Sequence, residues 1–102
     1  MKATALIQTR LIYAENAFAE LVLWQLPEAL FGSTHTFKYR LAYVVDGQCV
    51  IRYDNEAGKG DHRHVGNQES KYLFTTPENL LSDFQRDIET HKRRHQREND
   101  HS

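Results

Sequence analysis

Apolar residues follow two rhythms along this chain. Through Tyr53 they fall in β-rich runs separated by turn residues, and from Leu80 to Ile88 they recur at helical spacing. Ala3 to Tyr13 contains Leu6, Ile7, Leu11, Ile12 and Tyr13, and Glu15-Asn16 reads as a turn. Phe18 to Leu26 then resumes with Leu21, Val22, Leu23 and Trp24. A strand–turn–strand unit suits both pieces. A helix over Ala14 to Leu26 competes, because alanine and leucine are good helix formers. Pro27 ends the segment in either case.

Leu26 to Thr36 reads as a connection, with Pro27, Gly32 and Ser33 as breakers. The strongest local signal is Asp46-Gly47 between Tyr39–Val45 and Gln48–Tyr53, which predicts a two-residue type I′ hairpin turn. That register pairs Val45 with Gln48, Tyr43 with Val50, Leu41 with Arg52 and Arg40 with Tyr53. One face then carries Arg40, Ala42, Val44, Cys49, Ile51 and Tyr53, and the other carries Tyr39, Leu41, Tyr43, Val45, Val50, Arg52 and Asp54. A charged loop follows, and Lys71–Phe74 reads as a short strand at the sheet edge. Thr76 suits a helix cap, Pro77 the first helical position and Glu78 the positive end of the helix dipole. Leu80, Leu81, Phe84 and Ile88 form one apolar stripe. Beyond Ile88 the chain is polar, with a basic run from His91 to Arg97.

These elements predict an α+β fold: an antiparallel sheet of about four or five strands with one C-terminal helix packed on it. Residues 1–90 form the domain, and residues 91–102 form a basic helix end and a polar tail. At 102 residues the chain supports one modest core, so a protein partner or a homodimer would suit it. A net charge of -1 argues against coating nucleic acid by bulk electrostatics and leaves room for a local basic patch. Cys49 is the only cysteine, so no intrachain disulfide forms and a reducing compartment is expected. Neither a secretory signal nor an apolar run of roughly 20 residues is apparent, so the expectation is a cytoplasmic protein without a membrane span.

The stretch Arg52-Tyr53-Asp54-Asn55-Glu56-Ala57-Gly58-Lys59-Gly60-Asp61-His62-Arg63-His64 concentrates the chemistry. It holds two histidines, three cations, three carboxylates and an amide, a composition that packing does not require. His62 and His64 would point to one side if extended. Histidine populates both protonation states near neutral pH, so one ring could take the 2′-hydroxyl proton of RNA while the other protonates the leaving oxygen. Lys59, Arg52 or Arg63 would stabilise the phosphorane charge. The 2′-hydroxyl is the nucleophile, so this chemistry calls for no metal and no cofactor. Asp54 shares a face with Arg52 and could pair with it or orient a histidine. Lys59, Arg63, Lys92, Arg93 and Arg94 are candidate phosphate contacts.

Blander readings stand beside these. Both histidines could be ordinary exposed residues, the basic helix end a solvated terminus, and Gly58-Lys59-Gly60 a flexible turn without P-loop spacing. Tyr39, Tyr43, Tyr53 and Tyr72 could stack on bases but suit a core better, as does Trp24; Cys49 reads as an inert strand thiol. Asp54, Asp61, His62 and His64 could ligate Zn²⁺, Mn²⁺ or Fe²⁺, although Lys59 and Arg63 would repel a cation.

Tyr39-Arg40-Leu41-Ala42-Tyr43-Val44, the Arg52–His64 run and Thr76-Pro77-Glu78-Asn79-Leu80-Leu81-Ser82-Asp83-Phe84 together resemble the TumE-like toxins of bacterial toxin–antitoxin pairs. The resemblance spans roughly residues 3 to 90. It implies a small toxin encoded beside a helix-turn-helix antitoxin or regulator. Members commonly carry a His-rich loop after the Tyr-Asp-Asn strand end; here the loop is short, with Gly-Lys-Gly and two histidines. The resemblance brings no catalytic roles, which rest on the chemistry of the loop. The leading reading is a toxin acting as a metal-independent ribonuclease. A non-enzymatic module binding a helix-turn-helix regulator and a metal-dependent hydrolase are the alternatives.

Overall fold

The computed structural model describes residues 2–100, with side chains described through residue 96. The chain runs β1 (Thr4–Ala14), β2 (Ala17–Gln25), β3 (Phe37–Val45), β4 (Gln48–Glu56), β5 (Gly60–Val65), β6 (Gln68–Lys71) and α1 (Pro77–Asp100). All strands lie antiparallel in chain order in one sheet. The α+β class and the single C-terminal helix agree with the sequence expectation. The sheet has six strands rather than four or five, because the charged stretch is itself strand. Turns at Ala57-Gly58-Lys59 and Gly66-Asn67 fold it into β5 and β6, and Gly58, Gly60 and Gly66 all take positive φ. The competing helix over Ala14 to Leu26 does not form; that segment is β2, central enough to bury Ala17, Ala19 and Leu23.

Asp46 and Gly47 both have positive φ, at 52° and 78°, as a type I′ turn requires. The pairing beyond the turn departs from expectation. Val45 faces Gln48 and Val44 faces Cys49, but Tyr43 then faces Ile51, leaving Val50 as a bulge. The carbonyl of Val50 accepts instead from the Gly66 amide at 2.9 Å. The extra residue exchanges the two faces of β4. Ile51, Tyr53 and Asn55 join Tyr39, Leu41 and Tyr43 beneath the helix, while Arg52 and Asp54 turn to the opposite face with Arg40 and Ala42.

The expected strand Lys71–Phe74 is displaced: β6 ends at Lys71, and residues 72–76 cross to the helix. Tyr72 and Phe74 turn inward while Leu73 stays exposed. Phe74 stacks on His35 with ring centroids 4.0 Å apart, and Tyr72 gives its hydroxyl proton to Asp83 at 2.5 Å. Helix α1 starts as anticipated, with the Asn79 amide donating to Thr76 Oγ1 at 3.1 Å. Leu80, Phe84 and Ile88 are buried against Tyr53, Ile51, Leu41 and Leu23. The helix continues through the basic run to Asp100, and the end of the expected polar tail, residues 101 and 102, lies outside the described residues. Cys49 is an exposed strand residue. No helix among the described residues is long and apolar enough to cross a membrane.

One polar clamp fixes the helix over the sheet. Arg63 donates from Nε and from one terminal nitrogen to the two carboxylate oxygens of Asp87, each at 2.7 Å, and Tyr53 donates its hydroxyl to the same group. Burial pushes the Asp87 carboxyl up, but the hydrogen bonds from Arg63 and Tyr53 outweigh it, so it lies below its ordinary value. A lowered folded-state pKa contributes stability above the unfolded value and loses it as pH falls through the folded value. Asp87→Asn should therefore cost about 1–3 kcal/mol at neutral pH in urea melts, since the pair is only partly desolvated. The gap to wild type should narrow once pH falls below about 3.9. A gap independent of pH would contradict the clamp.

Candidate active site

With the helix on one face, the other face of the sheet is open, and the candidate residues sort between them. Pairing across β3 to β6 builds two rows on the open face. Arg40, Asp54, His62 and Lys71 face one another in sequence, and Ala42, Arg52, His64 and Glu69 do so beside them. Ala42, opposite Arg52, is buried. Arg52, Asp54, Glu56, Lys59, Gly60, His62, His64 and Glu69 line a cavity of about 220 Å³.

The expected Arg52–Asp54 pair forms, with Nε 3.1 Å from Oδ2. The two are close as charges but misaligned as a hydrogen bond, so the buried Nε keeps no hydrogen-bond acceptor. One terminal nitrogen of Arg52 lies 3.0 Å from His64 Nε2. A guanidinium can only donate, so this contact is a hydrogen bond only with Nε2 bare and the His64 proton on Nδ1; the same Nε2 lies 3.7 Å from Glu69 Oε1, beyond hydrogen-bond reach. His62 meets the opposite demand. Its Nδ1 lies 2.9 Å from the Glu69 carboxylate and its Nε2 lies 2.7 Å from the Lys59 carbonyl. Both partners accept, so only the doubly protonated ring satisfies both at once. The carboxylate on a histidine is thus Glu69, and Asp54 serves Arg52.

Of the six candidate catalytic residues, His62, His64, Arg52, Asp54 and Lys59 come together at this cavity. Lys59 brings its carbonyl inward, while its ammonium is exposed and sits 3.5 Å from Glu56. Arg63 does not join them. Alternation along β5 sends it to the helix face, where Asp87 holds it. Lys92, Arg93 and Arg94 lie on the helix, across the sheet from the cavity, with Lys92 over the Tyr13 ring. Tyr39, Tyr43 and Tyr53 are core, as expected of strand tyrosines. Burial, with Asp61 adding to it, pushes the Tyr39 hydroxyl well above the usual range, and the group is a neutral donor to Asp61 at 2.6 Å.

The proposed metal-ligand set also divides. Asp61 faces the helix side, held by Tyr39 and by His35 at 2.8 Å, away from Asp54, His62 and His64. Among the described residues no three His, Cys, Asp or Glu side chains are grouped to hold a metal ion. Sequence reasoning passed over Glu69 and Glu56. The Gly66-Asn67 pair carried the signal for Glu69: read as a two-residue hairpin turn, it sets Glu69 opposite His64.

A family model described as Toxin TumE matches residues 2–92. The chain belongs to the TumE toxin family. No curated protein and no solved structure matches it. The family match agrees with the resemblance of the strand and loop motifs and covers β1 through β6 and most of α1. Membership in the TumE family points to a toxin of a toxin–antitoxin system and, in general, to an antitoxin partner.

The contacts of His64 generate a direct prediction. Nitrogen-15 NMR should find the neutral ring protonated on Nδ1 with Nε2 bare, and Arg52→Gln should redistribute the tautomers. An Nε2-protonated His64 in the wild type would contradict the Arg52 contact.

Proposed function

We propose that this TumE-family toxin is a metal-independent ribonuclease acting on cytoplasmic RNA through His62 and His64. One observation carries the reading: two imidazoles on one face of β5 have opposite hydrogen-bond demands, one aligned by a donor and one by two acceptors. Same-face neighbours on a strand stand roughly 6.6 Å apart, which leaves room for a phosphoryl group between them. In the proposed reaction His64 Nε2 exchanges its Arg52 donor for the 2′-hydroxyl and takes that group's proton. The 2′-oxygen bonds to phosphorus, the bond from phosphorus to the 5′-oxygen breaks, and His62 gives that oxygen a proton. The products are a 2′,3′-cyclic phosphate and a 5′-hydroxyl, with one proton taken up by His64 on the 2′ side and one given up by His62 on the 5′ side. Arg52, with its unsatisfied Nε, and Lys59 supply positive charge toward the phosphorane. Asp54 holds Arg52, and Glu69 orients His62.

A second reading is supported by β1. This edge strand leaves Leu6, Leu11 and Ile12 exposed, with Ile12 71% exposed. Such an edge suits strand addition or apolar docking by a partner protein. It fits an antitoxin, in our reading a helix-turn-helix regulator, and would serve either an enzyme or a non-catalytic binding module.

Induced expression in a bacterial host separates the two. Wild type should arrest growth and degrade RNA, and His62→Ala/His64→Ala should lose both while remaining folded by circular dichroism, with cleavage reduced by about 100-fold or more. Undiminished RNA decay in the folded double variant would overturn the acid–base assignment. Intact RNA under growth arrest by the wild type would favour the binding module.

A further inference from the structure

The histidine cavity is nearly balanced in charge. The Asp54 side chain turns to Arg52, that of Glu56 lies by Lys59 and that of Glu69 reaches His62, so little free positive charge remains there for a polyanion. A second cavity of about 240 Å³ adjoins it on the open face, sharing Asp54 and Glu56 as common wall and lined further by Val22, Trp24, Lys38 and Arg40. Arg40 is exposed, and its cross-strand neighbour Asp54 turns to Arg52 instead, leaving the Arg40 guanidinium without a carboxylate partner among the described residues. Trp24 stands opposite Lys38 on the same face, partly exposed and outside the core. The sequence expectation of a core tryptophan is therefore not met. The Lys38 ammonium is anchored to the neutral Asn55 carbonyl, so both Lys38 and the more exposed Arg40 bring positive charge to this cavity without a carboxylate partner among the described residues. Along the row Arg40–Asp54–His62, Arg40 is two strands from His62, roughly 10 Å at the usual strand spacing.

We infer that the Trp24 cavity is a nucleotide subsite, in which a base of a single-stranded RNA stacks on Trp24 while Arg40 pairs with the phosphate next to the one cleaved. This rests on the ribonuclease reading and gives it a substrate class. A duplex keeps its bases stacked inside, so a lone aromatic platform at a strand surface selects unpaired bases. The partly exposed ring and the guanidinium without a carboxylate partner line one cavity, and both are explained by one ligand.

Trp24 is the only tryptophan, so its emission reports this subsite alone. The full chain is titrated with a 2′-O-methyl hexanucleotide, which resists attack by the 2′-oxygen, and with the same sequence as a duplex. Single strand should quench Trp24 saturably and duplex should not. Arg40→Ala should weaken the apparent affinity about tenfold, with partial recovery in Arg40→Lys. With an all-ribose strand, Trp24→Ala should raise KM about tenfold with kcat little changed, and Trp24→Phe should leave both close to wild type. Unchanged emission with single strands, or equal quenching by duplex, overturns the subsite. Arg40-dependent quenching by a wild type that cleaves no RNA upholds the subsite and removes the ribonuclease reading. Cleavage whose KM ignores both Trp24→Ala and Arg40→Ala removes the subsite and leaves that reading standing.

Discussion

A single extra residue in β4 governs the arrangement of this molecule. Strand side chains alternate with a period of two, so a bulge at Val50 reverses the destination of every residue after it. Without it, Arg52 and Asp54 would be driven under the helix and Tyr53 out to solvent. With it, Tyr53 and Ile51 complete the core with Leu80, Phe84 and Ile88, and Asn55 is buried where its side chain caps the strand end, accepting from the Tyr39 amide and donating to the Phe37 carbonyl. Antiparallel pairing then transmits the choice to β5: Asp54 fixes His62 and Arg52 fixes His64 on the open face, and Arg63 falls to the helix side. Two neighbouring cations of the motif thereby receive different tasks. Arg52 lines the cavity, and Arg63 fastens the helix.

Features encoded by local chemistry were legible in the sequence. Asp46-Gly47 could adopt positive φ at both positions, Thr76-Pro77 could cap and start a helix, and the stripe from Leu80 to Ile88 needed one partner surface. The bulge was not legible. Cys49, Val50 and Ile51 are all apolar, so no polar residue marks which of them leaves the alternation. The faces of β4 therefore came out reversed. The β5–β6 hairpin was hidden for a related reason: Gly60 to Lys71 has few apolar residues, and one face of it packs through Arg63 and Asp61 instead. Five of the six candidate catalytic residues nonetheless share one cavity, because His62 and His64 needed only an extended backbone to align.

The electrostatics of the open face follow from the same pairing. Each carboxylate in the histidine cavity sits beside a basic side chain, so the site orders its charges internally and keeps its net field weak. That suits a chain of net charge -1, which would not hold nucleic acid by bulk attraction. Recognition in this account comes from placed groups: a tautomer set by Arg52, a ring oriented by Glu69, and a stacking surface beside an unpaired Arg40. The edge proposed for partner binding is separated in space from the histidines. The exposed apolar edge of β1 lies at the far side of the sheet from β5, so an antitoxin could dock there without touching the histidines.

The most direct measurement of the central claim is the chemistry of the cut ends. Purified wild-type protein is incubated with a defined single-stranded RNA in the presence of a chelator, and the termini are identified by mass spectrometry. Attack by the 2′-oxygen between two histidines predicts 2′,3′-cyclic phosphate or 3′-phosphate ends with 5′-hydroxyl partners, and no cut where the attacking ribose is replaced by deoxyribose. Products bearing 3′-hydroxyl and 5′-phosphate ends, or cleavage at the deoxyribose position, would contradict it.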